Sequence, residues 1–127
     1  MIKFRAWDKE LKMMFEVLAI NFFHKAVTIN IDGEKYKVCK FDDIILMQST
    51  GLFDKNGVEI FENDIVRFGH VFEGFLNQVV WDKQSCAFKL KSLDNRWDDT
   101  YFSNFGEETI ESLEVIGNIY ELESVEE

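Results

Sequence analysis

Hydrophobic and polar residues alternate with a period of two over most of this chain. Ile2, Phe4 and Ala6 fall on one side and Lys3, Arg5 and Trp7 on the other, the pattern of a strand. The charged run Asp8 to Lys12 reads as a turn into a second strand, Met13 to Phe22, whose nearly unbroken apolar character predicts burial on both faces. Val27, Ile29 and Ile31 alternate with Thr28 and Asn30. Asp32-Gly33 then predicts a two-residue hairpin, since a type I′ turn needs positive φ at both central residues. The return strand sets Tyr36 and Val38 against Lys35 and Lys37, and Ile44 to Met47 is a further apolar run.

Later in the chain, Phe75 to Trp81 predicts a strand with Trp81 in the core, and Asp82 to Ser85 a turn. Cys86, Phe88 and Leu90 then alternate with Ala87, Lys89 and Lys91. Trp97 to Phe102 reads as another strand, GEETIESLE as one helical turn, and Leu113 to Tyr120 as the last strand, with Gly117 at a bulge. The polar tail LESVEE is expected to fray. Many short strands at this spacing, without a long amphipathic helix, predict a mainly β, antiparallel barrel or sandwich.

TGLFDKNGVEIFENDIV, Thr50 to Val66, concentrates Asp, Asn and Glu around a glycine and invites a metal-loop reading. An EF-hand loop needs glycine at its sixth position and a bidentate Glu at its twelfth. Counted from Asp54, glycine falls fourth and the twelfth residue is Ile65. Turn chemistry accounts for the residues instead. Asn56-Gly57 offers both positive-φ positions of a type I′ hairpin between Leu52-Phe53 and Val58 to Phe61. Asn63 tolerates the left-handed region, Asp64 can bond nearby backbone, and Ile65 resumes a strand.

At 127 residues the length predicts one domain, and a 46% hydrophobic, 15% aromatic composition predicts a packed core. Cys39 and Cys86 are the only cysteines, which predicts a reducing compartment without a disulfide framework. The start MIKFRAWDKE lacks the apolar region of a signal peptide, and no apolar run approaches a bilayer span, so a cytoplasmic protein off the membrane is expected. The net charge of −10 is unevenly placed. Residues 1–40 hold 8 basic and 5 acidic residues, net +3, and residues 41–127 hold 6 and 19, net −13. Most of this surface repels a polyanion, so duplex DNA is a disfavoured partner.

FRAWDKELKMM near the start, LMQSTGLFDKNGVEIFENDIV in the middle, VVWD at Val79 to Asp82 and EVIGNIYE at Glu114 to Glu121 together resemble the YopX-like proteins of bacteriophages and prophages. The motifs keep their order over nearly the whole chain. Asn63 stands where such proteins usually carry a glycine before the DIV element, and Phe22 to Asp43 matches least. The resemblance implies an SH3-like barrel over about residues 49–122, an N-terminal β segment over about 1–48 packed on it, and an acidic tail at 123–127. It implies no catalytic residue.

The chemistry agrees with a non-enzyme. His24 and His70 are the only histidines, no G-x-S-x-G elbow occurs, and neither cysteine lies in a reactive motif. The His and Cys spacings lack any close zinc pair, and no glycine-rich phosphate loop is present, so no metal or cofactor is expected. Asp42-Asp43 and Asp98-Asp99 are neighbours that a strand would send to opposite faces. Aromatics leave more room. Trp97 and Tyr101 share one face of DNRWDDTYF, and Phe72 and Phe75 lie beside Gly69 and Gly74. These four residues form the candidate protein-interaction patch. The expected partner is a host or phage protein, with a homo-oligomer also open. The alternative is nucleic-acid association through the basic N-terminal segment or exposed aromatics.

Overall fold

The computed structural model describes residues 3–67, 76–93 and 98–126. The chain divides into two compact units, Met1–Gln48 and Ser49–Glu126. Among the described residues it is mainly β, every strand pairing is antiparallel, and the few helices are short.

The first unit runs through β1 (Phe4–Asp8), β2 (Met13–Asn21), β3 (Ala26–Asn30), β4 (Tyr36–Lys40), a 3₁₀ turn at Phe41–Asp43, and the first half of β5 (Ile44–Phe53). Its spatial order is β4-β3-β2-β1-β5. Ala6, Phe15, Val27, Ile29, Cys39 and Ile44 form its core, with Val17, Ile31, Phe41 and Leu46 packed against them. Ala6 pairs with both Phe15 and Leu46, so the three strands present apolar side chains to one face at the same level.

Two sequence expectations fail here, each for a reason of register. β2 is not buried on both faces: its Leu18 is 52% exposed. The pairing steps from Val17↔Ile29 to Ala19↔Thr28, which makes Leu18 the extra residue of a bulge and turns it away from the core. The Asp32-Gly33 turn also proves longer than two residues. Ile31 N–H bonds Lys35 O, leaving three residues between the paired positions. Asp32 Oδ1 accepts the N–H groups of Glu34 (3.0 Å) and Lys35 (2.8 Å), and only Gly33, at φ 90°, is left-handed. One extra loop residue reverses the facing of the whole return strand. Cys39 is therefore buried and Lys37 half-buried, while Tyr36 and Val38 are exposed.

The inward face of β4 explains a buried carboxylate. Asp8 is 1% exposed and lies 2.9 Å from Lys37 Nζ, and its Oδ1 accepts the N–H groups of Glu10 and Leu11. Burial alone would raise the Asp8 pKa. The hydrogen bonds from Lys37 and the two amides outweigh it and hold the carboxyl below its ordinary value. The same bond raises the Lys37 pKa.

The second unit takes the rest of β5, then β6 (Glu59–Phe61), β7 (Asp64–Arg67), β8 (Leu76–Asp82), β9 (Ala87–Ser92), β10 (Thr100–Tyr101), α1 (Glu107–Glu111), β11 (Glu114–Asn118) and α2 (Ile119–Glu126). β6 returns along β5 through Leu52↔Ile60 and Phe53↔Glu59. The other strands are ordered β10-β9-β8-β7-β11 around a core of Ile60, Val66, Val79, Leu90, Phe102 and Leu113. Among the described residues β10 and β11 end this ladder without pairing to each other, so these strands do not close into the barrel that the family resemblance implies. The predicted helical turn is α1, and the predicted bulge lies between Val115 and Gly117. The tail follows β11 as a helix rather than continuing the strand. Asn118 Oδ1 accepts the N–H groups of Tyr120 and Glu121 and so starts α2, which continues to Glu126.

Candidate functional site

Of the four residues expected in the aromatic patch, Trp97, Phe72 and Phe75 lie outside the described residues. Tyr101 lies in β10 opposite Lys89 of β9. Its ring is half-buried, and its hydroxyl donates to Asp82 Oδ2 at 2.6 Å. Asp82 ends β8, so the bond ties the edge strand to the root of the β8–β9 hairpin.

The hairpin loop converges on the same carboxylate. Ser85 Oγ donates to Asp82 Oδ2 (2.7 Å) and Gln84 N–H to Oδ1 (3.2 Å). The Tyr101 hydroxyl, with help from Ser85, holds the Asp82 pKa below its ordinary value. Beside it, Lys89 Nζ meets Asp99 Oδ2 at 2.9 Å, and that hydrogen bond raises the Lys89 pKa. The result is a phenol ring fixed in place by Asp82, across from the Lys89–Asp99 ion pair.

Sequence reasoning missed the second aromatic at this hairpin. Trp81, expected in the core, is 40% exposed and meets Phe88 edge-on at 5.0 Å between ring centroids. It shares a strand face with buried Val79 but sits two residues nearer the hairpin loop, where the core runs out. The available signal was position: an aromatic at the end of an apolar strand, next to Asp82, is a rim residue more readily than a core one. Aromatics thus flank the hairpin root on both faces, since Tyr101 opposes Lys89 and Trp81 opposes Phe88.

The Thr50–Val66 stretch is turn chemistry, built differently from the expected type I′ hairpin. Of Asn56 and Gly57 only Gly57 has positive φ, at 78°. Asp54 N–H bonds Val58 O (2.8 Å) and Gly57 N–H bonds Asp54 O (3.1 Å), the three-residue hairpin in which a turn is followed by a left-handed residue. Asp54 is the acceptor that organises it. Its Oδ1 takes the N–H groups of Asn56 and Val58, both at 2.8 Å, and its Oδ2 takes Val115 N–H of β11 at 2.9 Å. Burial works to raise the Asp54 pKa, and these amide bonds prevail and lower it. Asp64 likewise accepts Phe61 N–H at 2.7 Å. Asn63 is left-handed at φ 70°, and its side chain links Gln78 to the Tyr120 hydroxyl.

A concavity of about 450 Å³ is lined by Gly51 to Lys55 together with Ile110 and Glu111. Two of its charged groups are already committed, Asp54 to three amides and Lys55 to Glu114 at 3.2 Å. Glu114 also accepts from both Arg67 Nε and Nη2 and, held mainly by Arg67, stays below its ordinary pKa. Among the described residues no three His, Cys, Asp or Glu side chains are grouped to hold a metal ion. No helix among them is long and apolar enough to cross a membrane.

A family model described as YopX protein matches residues 3–123. No curated protein matches the chain. Among solved structures, the crystal structure of protein EF1440 from Enterococcus faecalis is similar over 100% of this chain and 99% of that one, at 28% identity and a TM-score of 0.62.

Proposed function

The chain belongs to the YopX protein family, and from that premise we propose that it is a cytoplasmic, phage- or prophage-type accessory protein that binds another protein and catalyses no reaction. The observation that carries this reading is Tyr101, an aromatic fixed at the root of the β8–β9 hairpin, half-buried and held by Asp82. A ring already fixed by a hydrogen bond loses little conformational freedom when a partner covers it, which is why ordered aromatics serve as binding anchors.

Charge narrows the partner. Residues 41–127 carry net −13, so a basic face on a host or phage protein would be steered toward this surface. Trp97, Phe72 and Phe75 join Tyr101 in the proposed patch on sequence grounds.

The test is affinity capture from the bacterial host with the full chain, its Tyr101→Ala, Trp81→Ala and Trp97→Ala variants, and mass spectrometry of what is retained. One or more proteins should be captured by the parent chain and lost from Tyr101→Ala and Trp97→Ala, while Trp81→Ala, on the opposite face of the hairpin, retains them and melting temperatures stay close. Retention of the same proteins by Tyr101→Ala and Trp97→Ala would refute this surface. Capture of nucleic acid, with a steep salt dependence, would replace the reading with the nucleic-acid alternative.

A further inference from the structure

β4 (Tyr36–Lys40) ends the strand order of the first unit, and among the described residues nothing pairs with its outer edge. The hydrogen bonds Ile31 N–H to Lys35 O and Phe41 N–H to Lys25 O fix which residues of β4 face β3. Lys35, Lys37, Cys39 and Phe41 direct their backbone groups inward. By the alternation of an antiparallel ladder, the backbone N–H and C=O groups of Tyr36, Val38 and Lys40 point outward from the sheet. The side chains of Tyr36 and Val38 are 69% and 61% exposed. Proteins guard such edges with charge, yet here only Lys40 of the three outward-directed residues is charged.

We infer that two copies of this chain associate by antiparallel pairing of their β4 edges, with Val38 on the two-fold axis. The sequence of the edge is complementary to itself in that register. Val38 opposes Val38, and Tyr36 of each copy opposes Lys40 of the other, so an ammonium lies beside an aromatic ring and no like charges meet. Moving the axis one residue to Lys37 would set Lys37 against Lys37. The outward backbone groups of Tyr36, Val38 and Lys40 then all find partners at once. Residues 1–40 carry net +3 and residues 41–127 net −13, so two copies meeting at this edge face weaker like-charge repulsion than they would across the acidic segment.

The inference is independent of the Tyr101 reading, and Tyr101→Ala should leave it intact. Sedimentation velocity of the full chain over a range of concentrations should show a species of twice the 15.0 kDa chain mass. Val38→Pro removes the outward N–H on the axis without touching a bond to β3, so it should give a monomer with an unchanged far-UV spectrum. The second test does not need that variant to fold. A hydrogen-bonded antiparallel pair sets its Cα atoms about 5.5 Å apart, within disulfide reach. Val38→Cys, in a Cys86→Ser background to remove the exposed native thiol, should therefore cross-link to a covalent dimer on mild oxidation. Tyr36→Cys in the same background should not, since its counterpart is Lys40. A monomeric mass at every concentration overturns the inference and leaves the edge to a strand of a different protein. A dimer whose Val38→Cys form does not cross-link overturns it as well.

Discussion

Asp54 is the carboxylate on which the Thr50–Val66 stretch turns, and replacing it separates turn chemistry from any other role. Its side chain accepts three backbone N–H groups at 2.8, 2.8 and 2.9 Å. A hydrogen bond to a charged acceptor is worth about 1.5–3 kcal/mol net, less where water can replace it. Asn56 and Val58 are exposed, so their amides regain water in Asp54→Ala and the loss is about 1 kcal/mol each. Val115 is half-buried in β11, and its orphaned N–H adds about 2 kcal/mol. Removing a carboxylate from a buried position returns part of this, leaving a destabilisation of about 3 kcal/mol. Asp54→Asn keeps an oxygen for the two loop amides but turns an NH₂ toward Val115 N–H, for a loss of about 1–2 kcal/mol.

Urea unfolding followed by far-UV circular dichroism, with linear extrapolation, measures both variants. The pH dependence gives a sharper check. The folded Asp54 pKa is depressed, so its stabilisation is fully present above the unfolded value of about 3.9 and is lost as pH falls through the folded value. The gap between the parent chain and Asp54→Asn should therefore narrow in acid. A gap of under about 0.5 kcal/mol for Asp54→Ala, the range of neutral surface changes, would refute the reasoning. So would a gap for Asp54→Asn that does not change with pH.

Other substitutions test neighbouring claims. Gly57→Val should destabilise the chain by about 1–3 kcal/mol in the same urea assay; a Cβ there meets nothing within 4 Å, so the loss is backbone strain at φ 78°. Calcium should leave the melting temperature unchanged, because a turn that binds no ion gains nothing from it, and an upward shift would restore the metal-loop reading. Lys37→Met should lower the melting temperature at neutral pH by leaving Asp8 buried without its cation. The pair's stabilisation is fully present between the ordinary carboxylate and lysine values, about pH 4 and about pH 10. It is lost as pH falls through the depressed Asp8 value or rises through the raised Lys37 value, so the deficit should shrink beyond either limit. Duplex DNA should show no retardation by the purified chain at physiological salt, since net −13 over residues 41–127 opposes it; a salt-steep shift in a gel would contradict this.

Local chemistry was legible in the sequence wherever a residue acts on its own neighbours. Alternation located most strands, Asn63 was recognised as a residue able to take the left-handed region, Gly117 marked a bulge, and the acidic run before Leu113 gave one helical turn. The Asp and Asn side chains around Gly57 were identified as turn-formers, although Asp54 rather than a second left-handed residue organises the hairpin. Tertiary structure alone decided which way the strands face. A period of two carries no memory of its phase across a loop, so the single extra residue between Ile31 and Lys35 put Lys37 and Cys39 inside and Tyr36 and Val38 outside. The same holds at Leu18, where one bulged residue turned an apolar side chain outward. Trp81 shows the limit for the candidate site: its composition and strand suggested core, and only the distance of that strand end from the packed centre made it a rim residue beside Phe88. Burial is a property of where the core ends, and no local run of residues contains that distance.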